Sequence, residues 1–144
     1  MILADEKATR QAGAALARQL KAGDVVTLSG PLSAGKTTLV RGLLEALGHP
    51  GEVPSPSFAI VQPYEALDPP VWHVDLYRIE GPEEMVELGL DDLHDAVLLV
   101  EWPAHAGPGA WPQALALSLE PQGDGSRVLT ADVPTAWEGR WPFR

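Results

Sequence analysis

Gly30-Pro31-Leu32-Ser33-Ala34-Gly35-Lys36-Thr37 has the spacing Gly-x4-Gly-Lys-Thr, and its flanks decide what it can be. Ahead of it runs Val25-Val26-Thr27-Leu28-Ser29, short, continuous and β-branched, as a strand buried on both faces must be. Behind it Leu39, Val40, Leu43, Leu44 and Leu47 recur at helical spacing, with Gly48 where a C-terminal cap belongs. A glycine-rich turn arising by chance would not carry both flanks. Strand, loop and helix in that order let consecutive backbone N–H groups curl around a phosphate chain while the helix lends its positive N-terminal end. Lys36 is then expected to reach the β- and γ-phosphates and the Thr37 hydroxyl to ligand Mg²⁺. Thr38 either supports the helix start or touches the α-phosphate. No Asn-Lys-x-Asp element for guanine occurs, which favours ATP.

Such a loop needs a carboxylate at the end of a neighbouring strand. Val71-Trp72-His73-Val74-Asp75 ends in Asp75, and Val97-Leu98-Leu99-Val100 runs into Glu101. An acidic residue closing an apolar strand is ordinarily just solvated; a phosphate loop reverses that expectation. Asp75 is assigned to the Mg²⁺ shell, and Glu101 either to that shell or to the attacking water, with Lys36, Asp75 and Glu101 as the catalytic set. Ser55 and Ser57, in the proline-restricted loop Glu52 to Phe58, read equally as a γ-phosphate sensor or an ordinary Ser-Pro turn. His73 alternates with Asp75 and reads as structural before catalytic. Trp102 reads as core by default, with a lid or a partner surface as alternatives. Arg41 and Arg78 are the nearest cations for charge stabilisation, and neither makes a convincing arginine finger, which predicts slow hydrolysis.

The rest of the chain predicts an α/β fold: a P-loop NTPase-like mixed sheet flanked by helices, with a C-terminal β-hairpin. Residues Asp5 to Ala22 read as an amphipathic helix closed by Gly23. Phe58 to Val61 and Val71 to Leu76 read as a hairpin, Pro82 to Leu88 as a short acidic helix, and Ala96 to Val100 as a second buried strand. Ala114 to Leu119 and Arg127 to Val133 alternate around Gln122-Gly123-Asp124-Gly125, the terminal hairpin. At 144 residues, with 45% apolar and 21% charged side chains, residues 1 to 144 make a single folded domain. Cysteine is absent, which removes disulfides and thiolate chemistry. No apolar run reaches membrane-spanning length and the start lacks a signal-peptide layout, so a cytoplasmic location is expected. Acidic residues outnumber basic ones 20 to 10, for a net charge of −10, which opposes autonomous binding to DNA or tRNA.

The stretch Leu28 to Gly42, the loop Ser55-Pro56-Ser57-Phe58, His73-Val74-Asp75-Leu76-Tyr77-Arg78 and Val100-Glu101-Trp102-Pro103 together resemble the TsaE family, formerly YjeE, in order and spacing. The resemblance implies a bacterial ATPase, weak alone, that works with TsaB and TsaD in making threonylcarbamoyladenosine in tRNA. It would reset their complex between turnovers and meet tRNA only indirectly. It also implies phosphate contacts from Leu32, Ser33, Ala34, Gly35, Lys36, Thr37 and Thr38, a γ-phosphate contact from Ser57, and metal near Thr37, Asp75 and Glu101. Adenine contacts would fall near Glu6 to Thr9, with further contacts from His105 and Ser126-Arg127. Ser33 stands where the family usually has glycine, and Ser57 where it has threonine; a positive φ at Ser33 would cost on the order of 1 kcal/mol. Two other functions fit the loop alone: a small P-loop kinase acting on a metabolite or nucleoside, and a nucleotide-binding regulatory module with a partner surface at Trp111, Trp137 and Trp141.

Overall fold

The computed structural model describes residues 1–31, 34–49, 61–79, 82–85, 88–89, 95–106 and 110–142. Its elements are β1 (Ile2–Leu3), α1 (Glu6–Ala17), β2 (Val25–Ser29), α2 (Lys36–Ala46), β3 (Val61–Tyr64), β4 (Val71–Asp75), α3 (Pro82–Met85), β5 (Val97–Glu101), β6 (Leu115–Pro121) and β7 (Arg127–Asp132). The strands form one 7-stranded sheet in the order β1-β7-β6-β2-β5-β4-β3. β2 pairs in parallel with β5 and β6, and β4 in parallel with β5; β3, β7 and β1 are attached antiparallel at the two sides. The mixed α/β fold expected from the sequence is therefore present, and its terminal hairpin is joined into the main sheet through β6.

Alternation along the central strands sorts side chains onto two faces. Val26 and Leu28 of β2, Val97 and Leu99 of β5, Val71 of β4 and Leu115, Leu117 and Leu119 of β6 share a buried cluster with Leu16 of α1 and Leu39 and Leu43 of α2. Val74, Leu98 and Val100 belong to a second cluster with Leu76, Ile79 and Ala106. From Val97 to Val100 β5 is apolar on both faces because both faces are covered.

The two long helices touch through glycines. A Cβ on Gly13 of α1 would overlap the Leu39 carbonyl of α2, and one on Gly42 of α2 would overlap the Arg10 carbonyl of α1. Backbone-to-backbone approach follows, and it fixes α1 beside the helix that starts at the glycine loop.

Several boundaries differ from the sequence expectation. α1 stops at Ala17 rather than running to Ala22. Gln19 N–H and Leu20 N–H bond the carbonyls of Leu16 and Ala17, so the chain tightens into turns that still bury Leu20. The first strand of the β3–β4 hairpin is Val61–Tyr64, set by its pairing with β4 from Val61↔Val74 to Tyr64↔Val71, and it begins where the expected strand was to end. Phe58 to Ile60, in the expected strand, lie outside the described residues, as do Val86 and Glu87 of the expected acidic helix. Neither β1 nor the 3-10 turn Thr135–Trp137 was anticipated. Leu3 and Trp137 are nevertheless core residues, 2% and 1% exposed.

Candidate functional site

β2, β5 and β4 lie side by side in parallel, with Leu28 opposite Glu101 and Glu101 opposite Asp75. The loop after Ser29 and the two acidic strand ends thus open on one edge of the sheet, the edge at which open α/β sheets place ligands. Gly30 has φ +142°, and a Cβ there would run into the Leu119 carbonyl of β6. Gly35 caps α2 in the left-handed region at φ 101°. Both positions need glycine, for space in the first case and for φ in both. Leu39 N–H bonds Gly35 C=O, so the N–H groups of Lys36, Thr37 and Thr38 precede that first i→i−4 bond at the positive end of the helix.

Lys36 is 5% exposed and folds back over this loop. Its Nζ donates to Gly30 C=O at 2.7 Å and lies 3.9 Å from the centre of the Trp102 ring. Burial pushes the Lys36 ammonium below its ordinary value, against the fields of Glu101 and Asp75, which hold it up. That opposition ties the lysine and both carboxylates into one electrostatic unit. Trp102 reaches the lysine from a left-handed backbone at φ 58°, rare for a bulky residue. Its ring also contacts Tyr77 at 5.0 Å and His105 at 6.0 Å. Of the readings open in the sequence, Trp102 is a half-buried cover over Lys36 that also packs against the second apolar cluster.

The two carboxylates are held differently. Asp75 is half-buried and its Oδ1 accepts from Tyr77 N–H at 2.9 Å, a turn that fixes its rotamer just past the strand. Glu101 is 4% exposed, and its Oε2 lies 2.6 Å from His73 Nε2, itself fully buried. Among the described residues His73 Nδ1 has no hydrogen-bond partner. The histidine that read as structural from its strand position is bonded directly to a predicted site residue.

Arg127 arrives from the far hairpin: its guanidinium lies against Gly35, where an added Cβ would meet it. Arg41 instead approaches Glu6 at 4.0 Å, and Arg78 is exposed. Ala34, Gly35, Lys36, Thr37, Thr38, Asp75, Glu101, Arg127 and His105 accordingly gather around the loop and its aromatic cover. Glu6 borders an open groove of about 640 Å³ between α1 and α2, shared with Lys7, Arg10, Gln11 and Glu45. Thr9 is not part of that lining; it is fully buried and its hydroxyl donates to Asp5 C=O at 3.1 Å. Leu32, Ser33, Ser55 and Ser57 lie outside the described residues. Of the three tryptophans that the regulatory-module alternative named, Trp137 is core, Trp141 packs against the same cluster, and Trp111 is half-buried on the other.

Strand order, glycine loop and helix start together define a mixed α/β domain of P-loop architecture. The sequence profile described as "Threonylcarbamoyl adenosine biosynthesis protein TsaE" matches residues 3–129, and the chain belongs to that family. It is 53% identical over 97 residues to the tRNA threonylcarbamoyladenosine biosynthesis protein TsaE of Streptomyces coelicolor, covering 65% of this chain and 66% of that one. To the protein of the same name from Haemophilus influenzae it is 42% identical over 92 residues, covering 62% and 58%. The matched segment thus spans just under two thirds of the first relative's length and less of the second. The crystal structure of Bacillus subtilis YdiB superposes with a TM-score of 0.79 at 33% identity, covering 96% of this chain and 88% of that one.

Proposed function

We propose that this chain binds ATP with Mg²⁺ and hydrolyses it slowly, acting with TsaB and TsaD in tRNA threonylcarbamoyladenosine formation so that their complex can turn over repeatedly. The relatives' names support the pathway; Lys36 at the start of α2, within the fields of Glu101 and Asp75 paired at the ends of β5 and β4, supports the ATPase.

The residues present suit both groups. The Lys36 ammonium is buried with a carbonyl and an aromatic face as its neighbours, contacts that a phosphate oxygen would better. The N–H groups of Gly35 to Thr38 and the Arg127 guanidinium would hold the phosphate chain. Thr37, Asp75 and Glu101 would hold Mg²⁺. Among the described residues no three His, Cys, Asp or Glu side chains form a metal site by themselves, so the cation would rely on phosphate oxygens and a hydroxyl as well. When bound, Mg²⁺ supplies charge neutralisation on the phosphate oxygens. Glu101, buried with its Oε2 against His73 Nε2, either completes that shell or orients the water. Asp75, pinned by Tyr77 N–H, presents its remaining oxygen at the sheet edge. Trp102 excludes water from the lysine.

Reconstitution tests the whole reading. With TsaB, TsaD, tRNA and threonylcarbamoyl-adenylate, modified nucleoside should accumulate over several turnovers only when this chain and ATP are present. No change on omitting the chain would remove the pathway role, and labelled phosphate recovered on an acceptor other than water would favour a kinase. For the site itself, Lys36→Ala should abolish ATP retention, whereas Glu101→Ala should keep ATP and lose hydrolysis by about 100-fold or more. Equal turnover in Glu101→Ala and wild type would end the catalytic assignment of Glu101.

A further inference from the structure

His73 is a polar side chain in a place that packing alone would give to an aliphatic one. It is fully buried, on the helix-facing side of β4 between Val71 and Asp75, opposite Leu99 of β5. A histidine retained there for stability would have both ring nitrogens satisfied. Here, among the described residues, Nε2 has one partner, the Glu101 carboxylate, and Nδ1 has none. An unmet buried polar atom weighs against stability, so the bond to Glu101 is what the residue contributes.

We infer that His73 is a positioning residue that fixes the rotamer of Glu101 through an Nε2–H bond to Oε2, leaving Oε1 to act at the sheet edge. Nε2 must carry the hydrogen, because a bare nitrogen lone pair would face a carboxylate lone pair. Among the described residues His73 is the side chain that bonds Glu101, whose other near charge is Lys36. Without the imidazole the carboxylate can rotate about its terminal torsion, a broad one. Outer partners of this kind typically change activity 10- to 100-fold. The inference rests on the catalytic or metal role proposed for Glu101.

His73→Leu removes the donor at similar volume, His73→Gln places an amide N–H near the Nε2 position, and His73→Asn places it near Nδ1. The expected result is a kcat for ATP hydrolysis lowered about 10-fold or more in His73→Leu with ATP affinity within about threefold of wild type, largely restored in His73→Gln and not in His73→Asn. In a Glu101→Ala background, His73→Leu should have no further effect on kcat. A readout free of turnover is available in the ligand-free protein: ¹⁵N NMR should show His73 in the Nε2–H tautomer, and Glu101→Ala should abolish that preference. Wild-type kcat in His73→Leu, additive effects in the double variant, or an Nδ1–H tautomer would each overturn the inference. If His73→Leu does not fold, equal activity of the Gln and Asn variants overturns it and a large difference in favour of Gln supports it. Should Glu101→Ala itself hydrolyse ATP normally, the functional reading fails first, and the NMR result still decides whether His73 orients the carboxylate.

Discussion

At the scale of single residues, Lys36 shows how an identity can be legible while its surroundings are not. The Gly-x4-Gly-Lys-Thr spacing names it, but the Gly30 carbonyl and the Trp102 ring that meet its ammonium come from loop closure and from the residue after β5, far along the chain. Buried, among the described residues, without a carboxylate in hydrogen-bond contact, the ammonium works against stability in the ligand-free state. Its value in the folded protein lies below 10.5, so between the two values the unfolded chain binds the proton and the folded chain does not. The stability contribution therefore rises with pH as the alkaline range is crossed toward 10.5. Lys36→Met should leave the ligand-free protein at least as stable as wild type at pH 7 and should flatten that alkaline slope, as read from urea unfolding at several pH values. A clear loss of stability in Lys36→Met would mean that the carbonyl bond and aromatic contact outweigh desolvation. Asp75 and Glu101 were readable because each closes an apolar strand in a chain that already had a phosphate loop. The bond from His73 to Glu101 was not, because it runs diagonally between β4 and β5 and depends on a register that no local pattern reveals. Arg127 follows the same logic: the loop and the hairpin are distant in sequence, and only the pairing of β6 with β2 brings the guanidinium to Gly35.

At the scale of elements, legibility followed burial. β2 and β5 are covered on both faces, and their continuous apolar runs marked them unmistakably. β1 has 2 residues, too few for any periodicity, and exists because Ile2 and Leu3 complete the ladder on β7. The end of α1 was misjudged because Leu20 keeps helical spacing although its backbone has already changed to i→i−3 bonding. What periodicity also hides is how near two helices lie. Gly42 is buried mid-helix, where alanine is ordinarily favoured by about 1 kcal/mol. Here the added methyl would strike the Arg10 carbonyl, a backbone atom that cannot swing away. Gly42→Ala should therefore destabilise the protein by about 1–3 kcal/mol despite the propensity gain. Chemical denaturation measures the difference, and a stabilised variant would show that α1 can shift at little cost.

At the scale of the whole molecule, β2 carries two separate tasks at its ends. Its C-terminal end opens into the glycine loop. At the other end Asp24 accepts a bidentate pair of bonds from Arg140, at 2.8 and 3.0 Å, from a segment lying beyond the residues matched by the family profile. The same guanidinium donates to the carbonyls of Gln19 and Ala136 and stacks 4.2 Å over Trp137, whose ring fills the core. The hydrogen bonds to Asp24 hold Arg140 above its ordinary value. This cluster fastens the Arg140 segment to the turn after α1 and to the residue before β2 without touching the loop. Arg140→Met should lower stability by about 2 kcal/mol, because it removes charge-assisted bonds and leaves a half-buried carboxylate without its partner. The loss should be shared with Asp24→Asn rather than added to it. ATP affinity should stay within about twofold of wild type, since β2 is braced along its length by β5 and β6 and the loop lies at its opposite end. Urea unfolding and ATP titration on the same two variants separate the tasks: an affinity that falls along with stability would show that β2 transmits strain from its anchored end to the loop.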